Sequence, residues 1–254
     1  MTTNTTPLQT IAGHVSVLPD QPAPIIAREG WPIVAIFVVV GAILTAGASW
    51  IHPIAGAAVG LVSLVLTVWC LWFFRDPARQ IPADPSAVIS PADGVICSIG
   101  PADALPELQL GESGKGMLRV CVFMNVFNVH VNRMPLAGTV TRIVHSPGKF
   151  LNAAVEKAST ENERCAMAIR LADGRVIGCV QIAGLVARRI VCRIKEGVSL
   201  SQGSRYGLIR FGSRVDVYLP AGTNVQVKLG QVVVAGETIL ATLSSGGGSG
   251  GGQY

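Results

Sequence analysis

Residues 31–74 read WPIVAIFVVVGAILTAGASWIHPIAGAAVGLVSLVLTVWCLWFF, a stretch without a single charged side chain. Two apolar runs, about Pro32–Ile51 and Ile54–Phe74, flank His52-Pro53. Each is about 20 residues, long enough to cross a ~30 Å hydrocarbon layer as a helix. Only a tight turn fits between them, so the stretch predicts a helical hairpin. Gly56 and Gly60 set small residues four apart, which permits close helix approach. Trp31, Trp50, Trp69 and Trp72 stand near the run ends, where indole rings anchor at the bilayer interface. The first run lies behind a leader, residues 1–30, and the second follows at once, a pattern that does not fit a cleaved signal peptide. A hairpin puts both flanks on one side, and Arg28, Arg75 and Arg79 favour the cytoplasmic side.

Beyond Phe74 the composition changes. Residues 75–254 hold 19 Lys/Arg against 13 Asp/Glu, and the whole chain carries a net charge of +5. A basic domain beside a membrane hairpin favours anionic lipid headgroups. No zinc-ligand spacing, helix-turn-helix pattern or aromatic RNA-binding motif is present, so nucleic acid is not expected as a partner. None of the six cysteines forms a CxxC pair, and neither a disulfide framework nor a metal site is expected. Short β-branched runs between Gly, Pro and Asp-Gly turns predict strands, among them Gly94–Ile99, Met117–Phe123, Gly138–His145, Ala166–Leu171, Val176–Ile182, Tyr206–Phe211 and Arg214–Leu219. A helical stretch fits only around Asn152–Ser159. The expected fold class is α+β, mainly β. An N-terminal transmembrane helical hairpin (31–74) precedes a sandwich- or barrel-like β-rich domain (75–243). The Gly/Ser tail, 244–254, has no apolar surface to bury and is expected to be disordered.

Within the β-rich domain, Arg210-Phe211-Gly212-Ser213-Arg214-Val215-Asp216 sets a Gly-Ser step between two strand-like runs. Glycine leaves its carbonyl sterically open and tolerates unusual backbone geometry. The adjacent hydroxyl can attack that carbonyl, exchanging amide for ester, and elimination followed by hydrolysis leaves an N-terminal pyruvoyl group. Most Gly-Ser pairs are ordinary turns, so the surroundings decide. Asp93 sits in the turn Ser90-Pro91-Ala92-Asp93-Gly94, where a turn-forming carboxylate is the simpler reading. His130 lies in the alternating segment Asn125–Arg133, and His145 precedes the loop Ser146–Phe150. Taken singly, His130 reads as a structural strand residue, the His145 loop as a surface turn, and Ala187-Arg188-Arg189 as a solvated basic edge.

Together these segments resemble the phosphatidylserine decarboxylase family in its shorter bacterial form. The resemblance runs from about Phe74 to Leu243. It rests on Phe74-Arg75-Asp76-Pro77, the Ser90–Gly94 turn, Asn128-Val129-His130-Val131-Asn132-Arg133, Pro147-Gly148-Lys149-Phe150, Lys157-Ala158-Ser159 with Glu161–Arg164, Gln181–Gly184, Ala187-Arg188-Arg189 and Phe211–Asp216. It implies a proenzyme cut between Gly212 and Ser213, with a β chain of residues 1–212. The α chain would begin with a pyruvoyl cofactor made from Ser213. Processing would use Asp93 to orient His130, and His130 to take the Ser213 proton. The implied reaction is decarboxylation of phosphatidylserine to phosphatidylethanolamine, without metal, pyridoxal phosphate or nicotinamide. Arg133, Lys149, Arg188 and Arg189 are the candidate partners for substrate phosphate or carboxylate. The implied location is the bacterial inner membrane with the domain on the cytoplasmic side, and self-association into a homo-oligomer stays open. Many longer members have Leu-Gly-Ser-Thr at the cut and a second His where this chain has Arg133. The division of work between His130 and His145 is therefore left open.

A reading from another class is a non-catalytic carrier or adaptor of the lipoyl/biotinyl type. It rests on Asp93-Gly94, Leu229–Glu237 and Glu156-Lys157-Ala158, and predicts an intact chain. A serine hydrolase is a third, but no Gly-x-Ser-x-Gly elbow is present.

Overall fold

The computed structural model describes residues 24–153, 155, 157–185, 189–210 and 212–244. Most of the leader, Arg188, Phe211 and the tail beyond residue 244 lie outside the described residues. The hairpin forms where the charge-free stretch predicts it, as α1 (Trp31–Ile51) and α2 (Pro53–Phe73). Pro53 opens α2, where its missing N–H is not needed, and the His52 ring nitrogen accepts from the Ile54 amide. Both helices are long and apolar enough to cross a membrane, and most of their side chains face outward. Ser63 and Ser49 lie against Gly41 and Gly56, so the small residues mark the helix contact.

The remainder is built of strands: β1 (Ala87–Ile89), β2 (Gly94–Ala102), β3 (Met117–Met124), β4 (Val131–Arg133), β5 (Gly138–Ser146), β6 (Arg164–Arg170), β7 (Val176–Ala183), β8 (Ile190–Cys192), β9 (Ser199–Leu200), β10 (Arg205–Ile209), β11 (Ser213–Leu219), β12 (Asn224–Val225), β13 (Val232–Val233) and β14 (Ile239–Thr242). An eight-stranded sheet runs β13-β2-β3-β11-β7-β6-β5-β9, with three-stranded sheets β1-β14-β12 and β4-β10-β8. Every pairing is antiparallel. The expected mainly-β class with a helical hairpin is what forms. One expectation shrinks: in place of a helix over Asn152–Ser159 there is a single turn, α3 (Ala158–Glu161).

Strand β11 is central, paired to β3 on one side and to β7 on the other, and all seven of its residues are buried. Alternate side chains point to opposite faces. Val215, Val217 and Leu219 enter the main core with Val120, Val122 and Ile177. Tyr218 packs on the other face with Leu105, Leu108 and Val180. Ser213 opens this strand and shares the inward face of Val215.

Candidate functional site

Two hydrogen-bonding registers fix the surroundings of Ser213. It lies opposite Met124 on β3 and Ala183 on β7, and Gln181 lies opposite Val215. Paired residues share a face, so Gln181 and Met124 flank Ser213 on the inner side of the sheet. Asn132 of β4 reaches both: its Nδ2 donates to Met124 Sδ at 3.7 Å, and its Oδ1 accepts from Gln181 Nε2 at 2.8 Å. Asn132 thus roofs the start of β11. His130 lies two residues earlier, on the same face of that segment, and its carbonyl accepts from Ile209 N at 3.3 Å.

Both are buried, His130 at 2% exposure and Ser213 at 0%. The Nδ1 of His130 donates to the Asn128 carbonyl at 2.9 Å, which places the ring proton there. Its Nε2 is buried with no hydrogen-bond partner among the described residues, and the same holds for Ser213 Oγ and Gln181 Oε1. Buried polar atoms are nearly always paired; Ser213 Oγ and Gln181 Oε1, on paired strands at the start of β11, are exceptions, and His130 Nε2 is another. The His130 ring stacks on Phe73, the last residue of α2, with centroids 4.1 Å apart and planes tilted by 31°. Burial pushes the imidazole pKa down to about 4, with Arg75 adding a smaller repulsion against the Asn128 hydrogen bond. His130 is therefore neutral at pH 7, with a bare acceptor nitrogen.

Gly212 takes φ +62°, a left-handed conformation that favours glycine. Its carbonyl oxygen rests against Gly184, where an added Cβ would come within 2.2 Å of it. Next along the chain, Arg214 is 1% exposed. It donates to Asp216 Oδ1 from Nε at 2.7 Å, to Ser159, and from Nη1 to the carbonyls of Ala153 and Val155, both at 2.9 Å. Those carbonyls would be tied up inside a helix, which is why the expected Asn152–Ser159 helix gives way to a turn.

The other expected residues separate. Asp93 accepts from Arg79 Nη2 at 3.0 and 2.9 Å and from the Ala235 amide at 2.7 Å, so the Nδ1 partner of His130 is a carbonyl and not this carboxylate. His145 is exposed on β5 and meets Glu163 at 3.1 Å. It stands three strands from β11, roughly 14 Å away at about 4.8 Å per strand. Arg133 is 3% exposed, and its guanidinium donates to Asp76, Pro77 O and Gly203 O. Asp76, itself buried, needs both Arg133 and Arg205. Lys149 is exposed and pairs with Glu161. Arg189 is exposed. Phe73, Asn132, Gln181, Gly184 and Arg214 are the residues of the site that the sequence reading gave no role. The resemblance carried by the segments Asn128–Arg133, Gln181–Gly184 and Phe211–Asp216 contained four of them without giving them roles, and nothing in the sequence pointed to Phe73.

These features define a class: a mainly β domain on an apolar hairpin, with a buried serine hydroxyl that has no partner directly after a left-handed glycine, and a buried neutral imidazole whose Nε2 has none among the described residues. The comparisons specify it further. The family described as phosphatidylserine decarboxylase matches residues 66–241. The phosphatidylserine decarboxylase proenzyme of Cereibacter sphaeroides (strain ATCC 17025 / ATH 2.4.3) is 53% identical over 218 residues, covering 86% of this chain and 90% of its own. That of Paramagnetospirillum magneticum is 51% identical over 220 residues, with 87% and 88% covered. That of Burkholderia ambifaria (strain MC40-6) is 50% identical over 224 residues, with 88% and 99% covered. The chain belongs to the phosphatidylserine decarboxylase family, and the carrier-module reading is not favoured.

Proposed function

We propose that the chain is a self-cleaving phosphatidylserine decarboxylase that converts phosphatidylserine to phosphatidylethanolamine and CO2. Its cofactor is a pyruvoyl group made from Ser213. The observation that carries this is the buried, unpartnered Ser213 Oγ directly after a left-handed Gly212 whose carbonyl fits against Gly184. Ser213 Oγ attacks the Gly212 carbonyl carbon while His130 Nε2 takes the hydroxyl proton, and the amide C–N bond breaks as an ester forms. Loss of the Ser213 α-proton then expels the Gly212 carboxylate, leaving dehydroalanine. Water converts it to the ketone and releases ammonia. Residues 1–212 become the β chain and residues 213–254 the α chain, held together through β3, β11 and β7. Gly184 leaves room for the Gly212 carbonyl, and a depressed His130 pKa keeps the base in its acceptor form.

Residue types around the strand end fit such a group. The small Ala183 lies opposite Ser213, and the Asn132 and Gln181 amides lie on the same face of the sheet. A pyruvoyl ketone supplies an electrophile for the substrate amine and a sink for the electrons that CO2 leaves behind. His130 Nε2, once protonated, returns a proton to the substrate carbon. Asp93 acts at a distance, locking Arg79 and the 235 amide around the turn that leads into β2. The hairpin holds the domain at the inner membrane, with its basic residues on the cytoplasmic side, where a two-chain substrate resides.

Denaturing intact-mass measurement tests this reading. Two chains are expected, the smaller beginning at position 213 and lighter by one ammonia than its serine-initiated form. Ser213→Ala should stay a single chain without decarboxylase activity. A cut or active Ser213→Ala protein would overturn the reading.

A further inference from the structure

Cross-strand neighbours of like charge are unfavourable unless something answers them. Arg189 and Arg210 are such neighbours, since the Arg210 amide donates to the Arg189 carbonyl at 3.2 Å at the end of the β8–β10 ladder. Neither side chain forms an ion pair or hydrogen bond among the described residues. The Arg210 Nε is also buried without an acceptor. Both residues line a cavity of about 550 Å³ whose opposite wall is Glu29, Pro32 and Ile33, at the foot of α1. The acid in that wall is already spent, because both Glu29 oxygens accept from the Arg193 guanidinium. The cavity therefore presents two guanidinium groups and no free carboxylate.

Its position supplies the ligand. Trp31 and Trp72, exposed at the two hairpin ends nearest the domain, mark the level of the bilayer interface. Pro32 and Ile33 give the cavity an apolar flank continuous with the outward face of α1. Arg210 precedes Ser213 by three residues, which span at most about 10 Å of chain. In a serine phospholipid only the serine methylene and α-carbon separate phosphate from amine.

We propose that Arg189 and Arg210 form a site for the phosphodiester of a membrane glycerophospholipid, entered from the bilayer beside the first turn of α1. A guanidinium fork matches two phosphate oxygens at once, and two forks on adjacent strand ends hold one phosphodiester from both sides. This deepens the proposed function by naming what grips the substrate; the anion site itself does not depend on the chemistry at Ser213.

The test uses the full chain as Ser213→Ala in detergent, so that no turnover intrudes, with calorimetric titration of soluble dihexanoyl lipids. Dihexanoyl phosphatidylserine and dihexanoyl phosphatidylglycerol should both bind. Adding Arg189→Ala and Arg210→Ala should weaken both about tenfold or more. Arg189→Lys with Arg210→Lys keeps the charge but loses the forks, and should fall between. Inorganic phosphate alone should bind much more weakly than either lipid, since it lacks the apolar contact. Unchanged lipid affinity in the alanine pair would overturn the site. A loss confined to phosphatidylserine would show that the arginines read the serine carboxylate, overturning the phosphate assignment. Inorganic phosphate binding as tightly as the lipids would make this a free-anion site. In the Ser213-intact protein the same pair should raise KM for phosphatidylserine far more than it lowers kcat. If Ser213-intact protein never decarboxylates, the proposed function fails while the titrations still decide the site.

Discussion

Two regions of this domain carry the polar residues that the sequence singles out, and they are built in opposite ways. Along the rim formed by β5, α3 and the start of β6, charge is matched. His145 meets Glu163, and Lys149 meets Glu161. In the interior, His130 Nε2, and Ser213 Oγ and Gln181 Oε1 at the start of β11, are buried and lack partners among the described residues. Saturated charges in solvent contribute little and do little. Unsatisfied groups inside cost stability, and a site that keeps them has a use for the bare atoms. Of the two histidines, His130 has the ring nitrogen without a partner, which is why the proposed mechanism assigns the proton transfer to it.

The contrast can be broken most severely at His130. His130→Ala should slow cleavage of newly made chain by about 10²–10⁴-fold, the usual worth of a general base. A time course of chain separation after synthesis measures this, and near-normal cutting would move the base elsewhere. Acid should sharpen the contrast next. The folded His130 pKa, about 4, lies below the ordinary 6.5, so the unfolded chain binds the extra proton between these values. Stability from this group is complete above about pH 6.5 and is lost as pH falls towards 4, on the order of 3 kcal/mol in all. The thermal midpoint of wild type should fall relative to that of His130→Phe as pH drops across this range; parallel curves would refute the account. Gly184→Ala should cost about 1–3 kcal/mol by pushing a methyl group into the Gly212 carbonyl, and should slow cutting as well. Cutting at the normal rate would show that this carbonyl need not stay where it is. Smallest is His145→Ala, expected to change stability by at most about 1 kcal/mol and to leave cleavage and turnover near normal. A large loss there would erase the distinction between rim and interior.

Much of this was legible in the chain because the signals are local. An uncharged stretch broken by His52-Pro53 can form little other than a helical pair, and its observed ends lie within a residue of the expected ones. Strands such as Met117–Met124 and Val176–Ala183 announce themselves by β-branched runs between turn residues. Gly212-Ser213 stood out only together with the segments around it, since a Gly-Ser pair alone is an ordinary turn. What stayed hidden depends on contacts distant in sequence. Nothing near Arg133 reveals that Asp76 will be buried and will claim it, leaving Arg133 a structural residue. Nothing near His130 shows that the long apolar helix α2 ends on its ring. The Asn152–Ser159 segment has helical propensity, yet Arg214, over fifty residues on, takes its carbonyls. Propensity loses there to a buried guanidinium that needs these carbonyls as well as Asp216 and Ser159 to satisfy its donors.

Strand β11 begins at the proposed scissile bond and lies between β3 and β7, with Arg214 gripping the far side of the cut. Before cleavage its insertion is a loop-closure event whose entropic cost grows only slowly with length. Afterwards the same strand belongs to a separate molecule. Unfolding then yields two particles, and recovery becomes a second-order encounter that dilution slows. Maturation thus makes the fold a one-way product of its own history: the cut enzyme can persist in a shape that its two chains, mixed afresh at low concentration, would be slow to find.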